Sequence, residues 1–229
     1  MRLLLFDIDG TLVSARGAGR RAFKAALEGV FGTAGGIDEY DLRGRTDQRI
    51  VFDVMEAAGF PREVVRPRLD EVFEAYARGL VAEIGDGSGV ITLPGVSELV
   101  RQLDRAEGAL IGLLTGNIEE GARIKLAPSG LWPLFPVGAF GSDDIDRRRL
   151  PSLAARRAQA LIGCAFEPAD VVVIGDTPHD IDCARAFGAV AVAVATGQYV
   201  RAQLLDERPD LFFDDLGDVE RVARALLGL

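Results

Sequence analysis

The chain has 229 residues, of which 48% are hydrophobic, and it carries a formal net charge of −9. This length allows a sizeable core, and the acidic balance argues against a nucleic-acid-binding protein, which needs a basic face. No apolar stretch approaches the length of a membrane span, and an acid at position 7 leads us to expect no signal peptide.

The first predicted element is a fully buried strand, the apolar run Leu3–Phe6. It leads directly into Asp7 and Asp9, and Gly10 then permits a sharp turn. Two carboxylates at the C-terminal end of a buried strand lie where open α/β sheets bind ligands. Two negative charges there are unfavourable unless a cation or a proton shares the site.

The next stretch, residues 15–89, has helical periodicity and no convincing strand. Apolar residues recur at helical spacing in three runs, at residues 22–30, 50–58 and 65–84. A glycine-rich, linker-like segment closes this stretch at 85–89. We therefore predict a helical domain at 15–89, inserted into a core domain made of residues 1–14 and 90–229.

Beyond residue 90, strand and helix patterns alternate. Strands are predicted at Leu110–Leu114, Val137–Phe140, Val171–Ile174 and Val190–Val194, with Leu211–Phe213 as a further candidate. Helices are predicted at Val96–Ala106, Glu119–Ala127, Leu153–Leu161 and Asp180–Phe187. This alternation indicates βαβ units and an α/β fold with a mostly parallel sheet, whose strands all end at one edge.

Three polar clusters follow predicted strands, at Asp7–Thr11, Thr115–Asn117 and Gly175–Asp180. We expect them to converge at that edge of the sheet. The carboxylates that meet there favour Mg²⁺, which prefers a few carboxylates together with water and phosphate oxygens. One histidine and two cysteines cannot complete a structural zinc site, and so few cysteines fit a reducing cytoplasm.

These groups suit phosphoryl transfer. An ionised carboxylate such as Asp7 needs no base in order to attack, provided that cations neutralise the phosphoryl charge. Asp9 can protonate the leaving oxygen and then deprotonate the attacking water. Backbone N–H groups near Gly10 and Gly116, with the hydroxyl of Thr115, can bind the phosphate oxygens.

The three clusters, in this order, resemble the signature motifs of the haloacid dehalogenase superfamily, and Thr92–Val96 resembles a segment of its phosphatases. The resemblance covers essentially the whole chain. It implies a Rossmann-like three-layer core with an inserted all-helical cap, and a phosphoglycolate phosphatase-like enzyme.

The same resemblance assigns roles to individual residues. It makes Asp7 the nucleophile and a Mg²⁺ ligand, and Asp9 the general acid and base and a ligand through its backbone carbonyl. It adds Asp176 and Asp180 to the metal site, the latter often through water. Thr115 becomes the phosphate-binding hydroxyl. Further substrate-binding residues in these motifs are Gly10, Gly116 and Asn117.

One family feature is missing, because the lysine usually found between the second and last motifs has no counterpart here. The chain has Asp146–Pro151 in that region, with three consecutive arginines. Resemblance to relatives with a similar pattern favours Arg147 as the catalytic cation, with Arg148 close behind and Arg149 third. An arginine differs from a lysine in reach and geometry.

The segment Leu42–Asp47 resembles the part of the cap that closes over the substrate in phosphoglycolate-type members. It implies that Arg45 binds a substrate anion, that Gly44 allows close approach and that Thr46 also contacts the substrate. A moving cap would exclude water from the reacting phosphate. The structural alternative is that Arg43 and Arg45 only pair with nearby surface acids.

We therefore predict a cytoplasmic, Mg²⁺-dependent phosphatase, monomeric or homodimeric, that acts on a small phosphorylated metabolite through an aspartyl-phosphate. A sugar phosphomutase shares all of these core motifs and stays open. A non-catalytic phospho-acceptor or binding protein is the alternative from another class. Asp180 can also cap the following helix, and His179 is interpreted as a local hydrogen-bonding residue.

Overall fold

The computed structural model describes residues 1–228. In this range the strands are β1 (Arg2–Phe6), β2 (Val13–Ser14), β3 (Ile91–Thr92), β4 (Ala109–Leu114), β5 (Gly138–Ala139), β6 (Val171–Gly175), β7 (Val190–Val194) and β8 (Leu211–Phe213). The α-helices of the same range are α1 (Ala18–Phe31), α2 (Asp47–Ala57), α3 (Arg62–Val65), α4 (Leu69–Ile84), α5 (Val96–Asp104), α6 (Glu119–Leu126), α7 (Leu150–Ile162), α8 (Pro178–Phe187), α9 (Arg201–Asp206) and α10 (Val219–Gly228).

Six strands form one parallel sheet in the order β5-β4-β1-β6-β7-β8. β1 lies inside it, with Leu4 paired to Ile111 of β4 and to Val172 of β6. The apolar residues of β1 are fully buried because helices cover both faces of the sheet. The predicted α/β fold with a mostly parallel sheet is confirmed.

The side chains of β1 alternate between two separate cores, as expected for a strand. Leu4 and Phe6 contribute to the core under α5, α6 and α10. Leu3 and Leu5 contribute to the other core, under α7, α8 and α9. The result is a three-layer arrangement with the sheet in the middle.

Helices α1 to α4 lie between β2 and β3 and share a third apolar core. Within it, the rings of Phe23 and Tyr76 stack with their centroids 3.9 Å apart, which joins α1 to α4. β2 and β3 pair as a short antiparallel ribbon, with Val13 opposite Thr92. The chain leaves and re-enters the core at this ribbon. The division into two domains at residues 14 and 90 stays a prediction.

Some boundaries differ from those predicted. The predicted strand Val137–Phe140 is reduced to the two residues of β5, and the candidate at Leu211–Phe213 is a strand. α7 and α8 begin earlier than predicted, because Pro151 and Pro178 stand in their first turns, where a missing N–H costs nothing. The two-residue strands β2 and β3, and the helices α9 and α10, were not predicted. Within residues 1–228 the structure has no helix with the length and apolar character needed to traverse a lipid bilayer.

Candidate active site

The three polar clusters meet at the C-terminal edge of the sheet. Asp7 follows β1, Thr115 follows β4 and Asp176 follows β6, and these strands are neighbours. A cavity of about 710 Å³ lies between this edge and the cap helices, and all three residues line it. The predicted convergence of the motifs is what the parallel topology produces.

Asp7, Asp176 and Asp180 are buried, and each offers an oxygen within 4.8 Å of the others. Burial raises the pKa of Asp7 to about 6; the charge of Arg147 opposes this rise, and the charges of Asp180 and Asp9 add to it. Burial also raises the pKa of Asp176 well above its ordinary value, assisted by the charges of Asp7 and Asp180. A divalent cation would relieve this crowding of negative charge, and an all-oxygen donor set fits Mg²⁺. The Asp9 side chain lies outside the triad, and its predicted contact with the metal is through its backbone carbonyl.

The backbone at Gly10 and at Gly197 lies directly against the Asp176 carboxylate. A Cβ built on Gly10 or on Gly197 would overlap with the Asp176 carboxylate, so no larger residue fits at either position. Gly10 also has a φ of +84°, which L-residues with side chains rarely adopt. Thr11 Oγ1 donates to Asp176 Oδ1 over 3.2 Å, which fixes the carboxylate in this niche.

Asp180 caps a helix and also belongs to the site. Its Oδ2 accepts hydrogen bonds from the backbone N–H of Thr177 at 3.0 Å and from Thr177 Oγ1 at 2.7 Å, forming the capping box of α8. Its Oδ1 lies 2.5 Å from Nη2 of Arg147. With both oxygens engaged, Asp180 is better placed to act on a metal through water than as a direct ligand.

Of the three consecutive arginines at 147–149, Arg147 is the one that reaches the site. It is buried, and its Nη2 lies 3.3 Å from Asp7 Oδ1 as well as 2.5 Å from Asp180 Oδ1. Burial opposes its charge, but Asp180 and Asp7 overcome this and raise the pKa of Arg147 above its ordinary value. Its Nε is the one buried side-chain nitrogen or oxygen of residues 1–228 that has no hydrogen-bond partner.

Arg148 and Arg149 point elsewhere, so the structure does not bring the predicted substrate contact Arg148 to the cavity. Arg148 pairs with Asp182 at 2.8 Å, and Arg149 pairs with Asp144 at 3.4 Å, both on the surface. The three arginines form a single 3₁₀ turn. Because that turn has about three residues, successive side chains point in different directions and only one of them faces the site.

The cap segment reaches the site mainly through its backbone. A Cβ on Gly44 would come within 2.6 Å of Thr177 Oγ1 and within 2.7 Å of His179 Cβ, so only a glycine allows this approach. A Cβ on Gly116 would overlap with the carbonyl of Arg45. Core loop and cap are therefore in direct contact at two glycines.

The two predicted cap side chains differ in position. The Arg45 side chain lines the cavity, although its Nε also donates to the Asp41 carbonyl over 3.0 Å. Thr46 does not line the cavity: its hydroxyl caps α2 by accepting from the Arg49 N–H at 3.2 Å, and donates to the Ile145 carbonyl at 2.8 Å. The Thr46 hydroxyl is thus occupied by one hydrogen bond within the cap and one to the core, and its contact with the substrate stays a prediction.

A family model described as haloacid dehalogenase-like hydrolase matches residues 1–188. The chain belongs to the haloacid dehalogenase-like hydrolases. This confirms the resemblance inferred from the motifs and the prediction that the chain is an enzyme.

The relatives of this hydrolase include phosphatases. It is 28% identical to a phosphoglycolate phosphatase of Synechococcus elongatus, over 99% of both chains. It is 26% identical to a probable phosphatase, IndB, of Dickeya dadantii, over 99% of this chain and 95% of the relative. The crystal structure of a hydrolase from Pseudomonas syringae has the same fold, with a TM-score of 0.72, 21% identity, and coverage of 96% of this chain and 97% of that one.

Two further residues of this hydrolase line the cavity and were not predicted. Lys125 of α6 contacts Asp9 and Asn117, each at 2.6 Å. Asp47, at the start of α2, donates its N–H to the Gly116 carbonyl at 2.7 Å and accepts the Ile118 N–H on Oδ2 at 2.7 Å. The sequence offered little indication of either residue. Each is a single charged residue in an amphipathic helix, and most such residues lie on the protein surface.

Proposed function

We propose that this hydrolase is a Mg²⁺-dependent phosphatase that cleaves a small phosphorylated metabolite through an aspartyl-phosphate on Asp7. The observation that carries the proposal is the grouping of Asp7, Asp176 and Asp180, with Arg147 in contact with the first and the last and with Asp9 lining the same cavity. Asp7 and Asp176 would hold Mg²⁺, with Asp180 close by, and Mg²⁺ when bound would neutralise phosphoryl charge.

In the first step, a carboxylate oxygen of Asp7 forms a bond to phosphorus, and the bond from phosphorus to the leaving oxygen breaks. Asp9 gives a proton to that oxygen. In the second step, Asp9 takes a proton from water, whose oxygen attacks phosphorus and releases Asp7. Arg147 lines the cavity beside Asp7, so its charge would help to neutralise the phosphoryl group.

A small substrate fits the cavity of about 710 Å³ between cap and core. Arg43 lines it from the cap side, but it pairs with Asp41 at 2.7 Å, as the structural alternative expected. Arg45 lines it too and would offer positive charge to a second anionic group of the substrate. A phosphoglycolate-like monoester has such a group, and the Synechococcus relative carries that name. The predicted cytoplasmic location, and the choice between monomer and homodimer, stay predictions.

The first test is Asp7→Asn assayed with p-nitrophenyl phosphate and Mg²⁺. We expect hydrolysis to be abolished, because an amide cannot form the acyl-phosphate, while thermal unfolding stays cooperative. Asp182→Asn is the matched control, since it makes the same change on the surface of α8. Undiminished turnover by Asp7→Asn would refute the mechanism.

The second test is a panel of phosphorylated metabolites that includes 2-phosphoglycolate and β-glucose 1-phosphate. We expect release of inorganic phosphate from a small anionic monoester. Conversion of β-glucose 1-phosphate into its isomer without phosphate release would identify a mutase instead.

A further inference from the structure

Lys125 is a buried cation that the proposed mechanism does not use. Its side chain is 6% exposed, whereas the Asp9 side chain that it contacts is 44% exposed. It lies on α6, eight residues after Asn117, and reaches back under the loop that follows β4. A lysine is rarely buried unless it is paired, so its contacts should explain its position.

Those contacts form a hydrogen-bond network with Asp9 and with the second motif, Thr115–Asn117. Lys125 Nζ lies 2.6 Å from Asp9 Oδ2 and 2.6 Å from Asn117 Oδ1. Asn117 Nδ2 in turn donates to the same Asp9 Oδ2 at 2.8 Å and to Thr115 Oγ1 at 2.8 Å. Two donors from different elements thus meet at one oxygen of Asp9.

The cap encloses this network from above. A Cβ on Gly19 would lie 3.4 Å from Lys125 Nζ and 3.6 Å from Tyr76 Oη, so both groups lie against α1. Asp9 provides the negatively charged partner of the Lys125 ammonium group, at 2.6 Å. Since an ion pair that is only partly exposed contributes little to stability on balance, its position beside Asp9 points to a role in the reaction.

We propose that Lys125 is a positioning residue for Asp9: with Asn117 it holds Oδ2, so that Oδ1 is the oxygen that exchanges the proton with the leaving group. A carboxyl group has one oxygen for the proton and one that can keep accepting hydrogen bonds. The ammonium group of Lys125 holds Oδ2, the oxygen that keeps accepting hydrogen bonds. The Asp9 side chain would otherwise rotate freely in a half-open cavity.

This inference rests on the proposed function, because it concerns the step in which Asp9 acts as an acid. In that step Asp7 bonds to phosphorus, and the electron pair of the broken bond goes to the leaving oxygen, which takes the Asp9 proton. An alkoxide leaving group needs that proton, whereas a nitrophenolate leaves without it. Loss of positioning should therefore affect alkyl phosphates selectively.

The experiment compares kcat/KM for 2-phosphoglycolate, or the fastest alkyl phosphate of the panel, with kcat/KM for p-nitrophenyl phosphate. This constant covers the steps through departure of the leaving group, so later hydrolysis of the aspartyl-phosphate does not enter it. For Lys125→Met we expect the alkyl-to-aryl ratio to fall by about tenfold or more. Arg123→Met is the matched control. It removes a positive charge from the same helix, but at a surface position where Arg123 pairs with Glu120.

An unchanged ratio in a folded Lys125→Met would overturn the proposal, as would an equal fall in Arg123→Met. If thermal unfolding shows that Lys125→Met does not fold, Asn117→Ala decides, because it removes the other donor to Oδ2 and should lower the ratio in the same way. Failure of the wild type to hydrolyse any phosphomonoester would refute the proposed function itself. A ratio that falls in Asp9→Asn but not in the Lys125 and Asn117 variants would refute only the role of Lys125.

Discussion

A single guanidinium group connects the nucleophile to the last motif. Arg147 contacts Asp7 and Asp180 through one nitrogen, Nη2, while its Nη1 donates to the Gly44 carbonyl over 3.3 Å. The ammonium group of a lysine could contact both carboxylates, but it lacks a second, separate nitrogen to reach the cap. In place of the lysine that the family pattern predicts, this chain has a group that links the nucleophile, the first turn of α8 and the cap segment.

Loss of that group should be costly. We expect Arg147→Ala to lower kcat for p-nitrophenyl phosphate by about a hundredfold or more, as for other donors aimed at charge that develops in a transition state. Arg148→Ala and Arg149→Ala are controls for the neighbouring surface arginines and should stay close to wild type. A larger loss in either control than in Arg147→Ala would transfer the role to that residue.

Could the sequence have predicted this residue-level detail? The choice of Arg147 among three arginines came from a family pattern, and the orientation of a short 3₁₀ turn then separated it from Arg148. The role of Lys125 was not predictable, since nothing in the sequence says that a helix two turns long carries its lysine inward. Such contacts depend on how the loop after β4 approaches α6, which is tertiary information.

Where β6 ends and α8 begins, the packing leaves no room for a side chain. A Cβ on Gly175 would overlap with the Asp180 carboxyl group, which lies in the first turn of α8. The backbone at the strand end therefore lies directly against the Asp180 side chain. This closeness is what places Asp176 and Asp180 beside each other.

Gly175→Ala should consequently destabilise the protein by about 2 kcal/mol, in the range found for overpacked sites. The measurement is denaturant-induced unfolding of the protein. Gly29→Ala is the control, because it lies within α1 with no atom near a new Cβ, and should be neutral or slightly stabilising. Equal stability of the two variants would show that the contact yields more easily than its geometry indicates.

The start of α2 holds the cap to the core through Asp47, and it also carries a pH dependence. Burial raises the pKa of Asp47 from 3.8 to about 7, against the opposing charge of Lys125. The folded state thus binds this proton more tightly than the unfolded chain does. The stability that protonated Asp47 contributes should be lost as the pH rises from about 4 to 7. Above that range the loss due to Asp47 is complete.

Asp47→Asn tests this, since an amide oxygen can still accept from Ile118 but does not titrate. We expect the free energy of unfolding of the variant to decline less between pH 4 and pH 7 than that of the wild type. Parallel curves for the two proteins would contradict the assignment. Asp182→Asn, on the surface, provides the comparison for an exposed carboxyl group.

Among the elements, most long periodic ones were predicted, α10 being the exception, and most of the shortest ones were not. The buried strands and the amphipathic helices have enough residues for their period to show. β2 and β3 have two residues each and exist only because they pair with one another, while α9 has six residues and little period to read. Pairing between residues 13 and 92 is a long-range contact that local pattern does not encode.

For the molecule as a whole, three buried acids make metal binding and stability interdependent. If Mg²⁺ binds the folded protein at Asp7 and Asp176, it should raise the melting temperature in a concentration-dependent way, and a chelator should reverse the shift and stop hydrolysis. Asp176→Asn should reduce the shift, and Asp182→Asn should keep it. Activity that persists in excess chelator would contradict the metal role.

The convergence of the motifs was the most predictable property at this scale. It follows from parallel strands and right-handed connections, which place every strand end at one edge. The contacts between cap and core were only partly predictable: the resemblance implied that Gly44 allows a close approach to the substrate, but not that it lies against Thr177 or that Gly116 lies against Arg45. Their importance becomes visible only where Arg45 and Thr177 lie against them.

The ribbon of β2 and β3 has a consequence for how such a protein could be rebuilt. Val13 lies opposite Thr92 and Ser14 opposite Ile91, so the two ends of the helical insertion are one strand spacing apart. The insertion therefore does not force apart the two points of the core to which it is joined. The ribbon holds the two ends of the insertion together. Modules of quite different length and shape could be exchanged at this junction while the catalytic edge keeps its geometry.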